Sequence, residues 1–201
     1  MGQRLRGFVK GKFEWLRRAP WGDPGFSATF LSLVIFGFFG GITGVTLGTE
    51  QINIIAHNNM RIPGHFHVTV VGGTALAFMG LTYYVIPLIF RKRVALWRLA
   101  TIQPYLFGLG IVIVAIAMTY LGTFGVPRRH WDISFANAPF SVEMHPAVDM
   151  FLAVLGLGGL LAAFAALSYI AIAVISVFFG TTLSAADLQH GAAGVPQGVV
   201  R

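Results

Sequence analysis

From Phe26 to Gly48 the chain carries no charged residue. As helix, a run of that length crosses the ~30 Å hydrocarbon core of a bilayer. Further apolar runs follow at about 65–90, 100–126 and 150–183. The predicted fold is therefore an all-α integral membrane protein with a four-helix transmembrane region over 26–183. Composition agrees. Only 10% of the residues are charged and 56% are hydrophobic, whereas a soluble domain carries about a quarter charged residues. Mean hydropathy is +0.75.

A net charge of +7 raises the question of nucleic acid. The basic residues, however, sit at the ends of apolar runs, which is the signature of membrane topology. No nucleic-acid partner is expected; the lipid membrane is. Eleven of the fourteen Lys and Arg lie in the terminal segments and the 91–98 loop, leaving Arg61, Arg128 and Arg129 for the opposite loops. The positive-inside rule then puts both termini in the cytoplasm, and the 49–64 and 127–149 loops together on the outer face.

Around these runs the chain divides simply. Residues 1–25 are a basic lead-in with interleaved aromatics, suited to the cytoplasmic interface, and Pro20 and Pro24 break the chain before the membrane. The first run is too long for a signal-peptide core and lacks an obvious small-residue cleavage site, so the first helix is expected to stay in place. Its Gly37, Gly40, Gly41 and Gly44 are expected to permit close helix packing. The fourth run exceeds what a bilayer needs, so tilt or projection is expected. Residues 184–201, rich in Ala and Gly, are expected to be a flexible cytoplasmic tail.

There is no cysteine. That removes thiolate zinc, iron–sulfur clusters, covalently attached haem, the cysteine-bound dicopper centre and disulfides. Histidine is the strong metal ligand that remains. Three of the six histidines fall in one stretch, His57-Asn58-Asn59-Met60-Arg61-Ile62-Pro63-Gly64-His65-Phe66-His67, where a polar loop turns into an apolar helix. At about 100° per residue, His65 and His67 diverge by roughly 200°. They cannot share one ion, but one helix can offer an imidazole to a separate group on either flank. Ionisable groups at membrane depth are costly and usually functional, and neutral imidazole is an axial haem ligand. Haem ligation, a proton relay and hydrogen-bonded packing are all open to the pair.

Arg128-Arg129 stands on the face where positive charge is scarce. Guanidinium forks suit carboxylates, so a haem propionate is one partner and a lipid headgroup the other. With haems beside His65 and His67, Asn53, His57 and Asn58 would add hydrogen bonds or a protonatable site nearby. Glu50 reads as a surface carboxylate.

Several of these stretches resemble the C-terminal half of subunit I of haem–copper oxygen reductases, with the match closest to the B family. They are Pro20-Trp21-Gly22-Asp23-Pro24-Gly25-Phe26, Gly40-Gly41-Ile42-Thr43-Gly44, His57-Asn58, Pro63-Gly64-His65-Phe66-His67 and Gly125-Val126-Pro127-Arg128-Arg129. The resemblance covers roughly residues 12–135. It implies that the four helices form part of a larger oxidase bundle. It implies that His65 is the axial ligand of the high-spin haem and His67 one of two axial ligands of the low-spin haem. Phe66 would lie between the haems, Arg128 and Arg129 would hold propionates, and His57 would sit in the propionate region. Asn53 stands where the family often has aspartate, so that carboxylate is lacking.

The family's copper ligands and the second histidine of the low-spin haem belong to earlier helices. His130 and His145 lie in a loop here and His190 in the tail. The expectation is a split subunit I, with a companion chain carrying the N-terminal half and the copper (CuB) site. The implied enzyme is a terminal oxidase in a prokaryotic cell membrane. It reduces oxygen to water with proton translocation, has further oxidase subunits, and draws on a cytochrome c-like protein or quinol as electron donor. A nitric oxide reductase-like core subunit and a non-catalytic haem-binding or assembly subunit are the alternatives. A solute transporter ranks low, because the spans hold almost no polar midplane residues.

Overall fold

The computed structural model describes residues 13–129, 139 and 143–184. His130, most of the loop after it, His190 and the tail, and the lead-in before Phe13 lie outside the described residues. A single turn, α1 (Glu14–Arg17), precedes the membrane and is closed by an Arg18–Glu14 ion pair. Helix α2 (Pro24–Gly48) then starts where Asp23 accepts a hydrogen bond from the Phe26 N–H and Pro24 takes the first helical position. Such a cap satisfies an otherwise orphan donor, and proline at that position forfeits none. Trp21 packs edge-on to Phe26 and Phe30, with ring centroids 5.5 and 5.0 Å away, an aromatic anchor of the kind found at membrane interfaces.

A short α3 (Glu50–Ala56) lies in the loop after α2, followed by α4 (Arg61–Phe90), α5 (Trp97–Thr123) and α6 (Ala147–Phe179). Helices α2, α4, α5 and α6 are each long and apolar enough to cross a membrane. Each begins a few residues before the point expected from its apolar run, because first-turn residues extend it into the polar flank. At 33 residues, α6 measures about 50 Å and outreaches the hydrocarbon core.

Without water to expel between them, helices in lipid associate through close packing at small residues. The α5–α6 pair shows this. A Cβ on Gly110 would stand 2.7 Å from the Ala162 backbone nitrogen, and one on Gly158 2.7 Å from Ile113. The common core joins all four spans through Ala28, Ile35, Val68, Phe107, Ile111 and Ala162.

Among the described residues two stretches depart from α geometry. Ile35–Gly40 in α2 and His67–Ala75 in α4 are π-helical, and they pack on one another. Gly72 and Gly73 admit Ile35 and Phe36 of the opposite stretch. Of the glycines of α2, Gly40 and Gly44 face Thr69 and His65, whereas a Cβ on Gly37 or Gly41 would meet no described residue within 4 Å beyond its own helix.

Short backbone clips tie the helix ends. At one end Met60 N–H donates to Val126 (3.0 Å) and Arg128 N–H to Asn58 (2.8 Å). At the other, Arg93 N–H donates to Thr181 (2.9 Å) and Leu183 N–H to Arg91 (2.8 Å).

Candidate functional site

Helix α4 places its histidines in its second turn. Asn59, buried to 8% exposure, starts the helix: its side-chain oxygen accepts the Arg61 N–H at 2.9 Å while its amide donates to Ile55 at 2.9 Å. Pro63 then occupies the first turn, where its missing N–H costs no helical bond.

His65 faces α2. Its Nδ1 lies 2.8 Å from Thr43 Oγ1, and that hydroxyl donates its proton to the carbonyl of Phe39 (2.7 Å), with Gly40 O 3.1 Å away. With its proton committed to the backbone, the hydroxyl meets the imidazole as an acceptor. Nδ1 therefore carries the ring proton and Nε2 keeps a free lone pair. Gly44 leaves the flank of the ring open; a Cβ there would stand 3.3 Å from Cε1.

His67 faces the other way. Its Nδ1 lies 2.8 Å from the carbonyl of Pro63, which only accepts, so its Nε2 is bare as well. It lines a cleft of about 380 Å³ between α4, α5 and α6, otherwise walled by apolar groups including Val71, Ile111, Val114, Met118 and Leu155. The two imidazoles thus serve opposite flanks, as their spacing predicts. Phe66 between them is 53% exposed, with its ring centroid 6.1 Å from that of His65.

The loops before α4 and after α5 bring Asn58 and Arg128 together. Beyond the backbone bond, Arg128 Nε donates to Asn58 Oδ1 at 3.3 Å. Asn58 and Arg129 both adopt positive φ, 62° and 65°, which turns the chain tightly and leaves the Arg129 side chain exposed. His57 is exposed too. Asn53 does not join them, because its amide donates to the Leu47 carbonyl at 3.0 Å and closes the end of α2. His145 stacks on Phe124 at 4.4 Å and accepts the Ala147 N–H, a structural role at the start of α6. Two residues received no role of their own in the sequence. Asn59 had a legible signal, an Asx residue just before a helix; Thr43 stood in a stretch that carries the resemblance, but its contact had no signal, since its partner is 22 positions away on another helix.

Among the described residues no three His, Cys, Asp or Glu side chains converge on one point. Haem does not require that, because the porphyrin supplies the equatorial nitrogens and the protein one or two axial ligands. A bare Nε2 on each flank, each oriented by a hydrogen bond at Nδ1, fits that group. So does the apolar wall beside His67.

Residues 8–161 match the family described as "Cytochrome C and Quinol oxidase polypeptide I". The chain belongs to this family. It is 35% identical over 150 residues to a cytochrome c oxidase subunit 1 of Thermus thermophilus, covering 73% of this chain and 25% of that one. A second, shorter cytochrome c oxidase subunit 1 sequence from Thermus thermophilus is 33% identical over 110 residues, all of its length and 53% of this chain. The fold matches a solved heme-copper terminal oxidase dimer with a TM-score of 0.76 at 28% identity, over 90% of this chain and 32% of that one. The chain thus has the multi-span helical fold of an oxidase polypeptide, and it spans a quarter of the longer Thermus thermophilus sequence and about a third of the solved chain.

Proposed function

We propose that this chain forms part of the catalytic core of a terminal respiratory oxidase that reduces oxygen to water with proton translocation. Within the family we assign it to the B family, on the stretches Pro63–His67 and Gly125–Arg129. His65 holds the iron of a high-spin haem and His67 that of a low-spin haem, through their Nε2 atoms. The observation that carries this reading is the pair of imidazoles on opposite flanks of α4, each with its Nδ1 proton already engaged. When bound, the haems and the copper carry electrons to oxygen and hold it during reduction.

The chain's own residues bind and orient. His65 and His67 fix the two ring planes relative to one rigid helix, and Phe66 occupies the space between. Arg128, anchored on Asn58, and the exposed Arg129 offer guanidinium groups to propionates, with His57 beside them. The copper ligands and the second low-spin ligand come from residues outside these 201, on the segment that carries the remaining helices of the bundle. Further oxidase subunits and an electron donor, a cytochrome c-like protein or quinol, complete the assembly. The site is a prokaryotic cell membrane, with the 91–98 loop on the cytoplasmic side.

A reduced-minus-oxidised spectrum of the complex purified through this chain, with and without carbon monoxide, tests the proposal. Two haems are expected, one of them binding carbon monoxide, together with a co-purifying segment bearing the missing histidines. Haem-free protein without such a segment would overturn it.

A further inference from the structure

We propose that Thr43 is the positioning residue for His65, and that it sets how strongly this imidazole binds iron. The inference rests on the assignment of His65 as a haem ligand. The two candidate ligands are held by different means. His67 passes its Nδ1 proton to a carbonyl of its own helix, four residues back, so its orientation is internal to α4. His65 passes its Nδ1 proton across to α2, and the accepting atom is a side-chain hydroxyl.

That hydroxyl is fully committed. Thr43 sits in the first turn after the π-helical stretch Ile35–Gly40, where the carbonyls of Phe39 and Gly40 both lie within 3.1 Å of its Oγ1. With its one proton directed to that pair, it has only lone pairs to offer His65. The opposite tautomer, with the proton on Nε2, would leave Nδ1 and the hydroxyl as two acceptors facing each other at 2.8 Å. It would also close the atom that binds iron. Thr43 thus selects the ligating tautomer, fixes the ring plane and makes the imidazole a stronger donor, as hydrogen bonding at the remote nitrogen does for metal-bound histidines. Gly44, beside Cε1, keeps α2 close enough for the bond without filling the space in front of Nε2.

Two near-isosteric substitutions in the full complex separate this role from packing: Thr43→Val, which keeps the volume and removes the hydroxyl, and Thr43→Ser, which keeps the hydroxyl. The readout is the iron–histidine stretching band in the resonance Raman spectrum of the reduced high-spin haem, with low-spin haem content as the internal control. Thr43→Val should shift the band to lower frequency or lose the high-spin haem, with low-spin haem unchanged. Thr43→Ser should restore the wild-type band. An unchanged band in Thr43→Val overturns the proposal, as does equal loss in both variants, which would make the role one of packing. A wild-type complex with no histidine-ligated high-spin haem would instead overturn the assignment of His65.

Discussion

At the scale of single residues, the two histidines are proposed to hold separate haems, and substitution should separate them. His67→Ala should lose the low-spin haem spectrum while His65→Ala loses the carbon monoxide-binding one, with the other haem retained in each case. Loss of both signals in both variants would mean that either change unfolds the segment. Arg129 is exposed and turned by a positive φ, so its charge, rather than its packing, is what its removal tests. Arg129→Ala should leave both haems bound and lower a haem reduction potential. The sign follows from charge: the reduced centre is more negative, and a nearby cation stabilises it. The shift should be on the order of 100 mV, the Coulomb term for a unit charge several ångströms away at a surface-like effective dielectric. A redox titration that leaves the potentials unmoved would assign Arg129 to lipid.

At the scale of elements, the close α5–α6 contact at Gly110 is the packing feature most open to test. The backbone of Ala162 is the neighbour there, and backbone cannot move aside as a flexible side chain can. Gly110→Val should destabilise the pair by about 1–3 kcal/mol, the usual cost of overpacking. It should appear as a lower thermal midpoint of the complex in detergent; an unaltered midpoint would mean that the two helices part more readily than their close contact implies. The four spans were legible in the sequence because uncharged runs of that length have few alternatives. The opposed His65 and His67 were legible because helical periodicity fixes directions locally. The π-helical stretches were not, since a widened turn depends on what the neighbouring helix inserts, as Ile35 and Phe36 do at Gly72 and Gly73. The same limit hid the contact of Thr43 with His65, 22 positions away on another helix.

At the scale of the whole molecule, orientation in the bilayer follows from where the cations lie, and the absence of cysteine makes it directly measurable. A membrane-impermeant maleimide applied to intact cells should label a Glu50→Cys variant and spare Thr181→Cys, both exposed positions at opposite ends of the bundle. The reverse pattern would invert the topology. The paired π-helical stretches carry a consequence of a different kind. A π turn holds more residues than an α turn, whose step is about 100° per residue, so each stretch works as a timing offset between the two halves of its helix. Because the offsets of α2 and α4 face each other, the two helices keep contact through the widened turns and on toward the end of the pair where Tyr83 donates its hydroxyl to Gln103 at 3.0 Å.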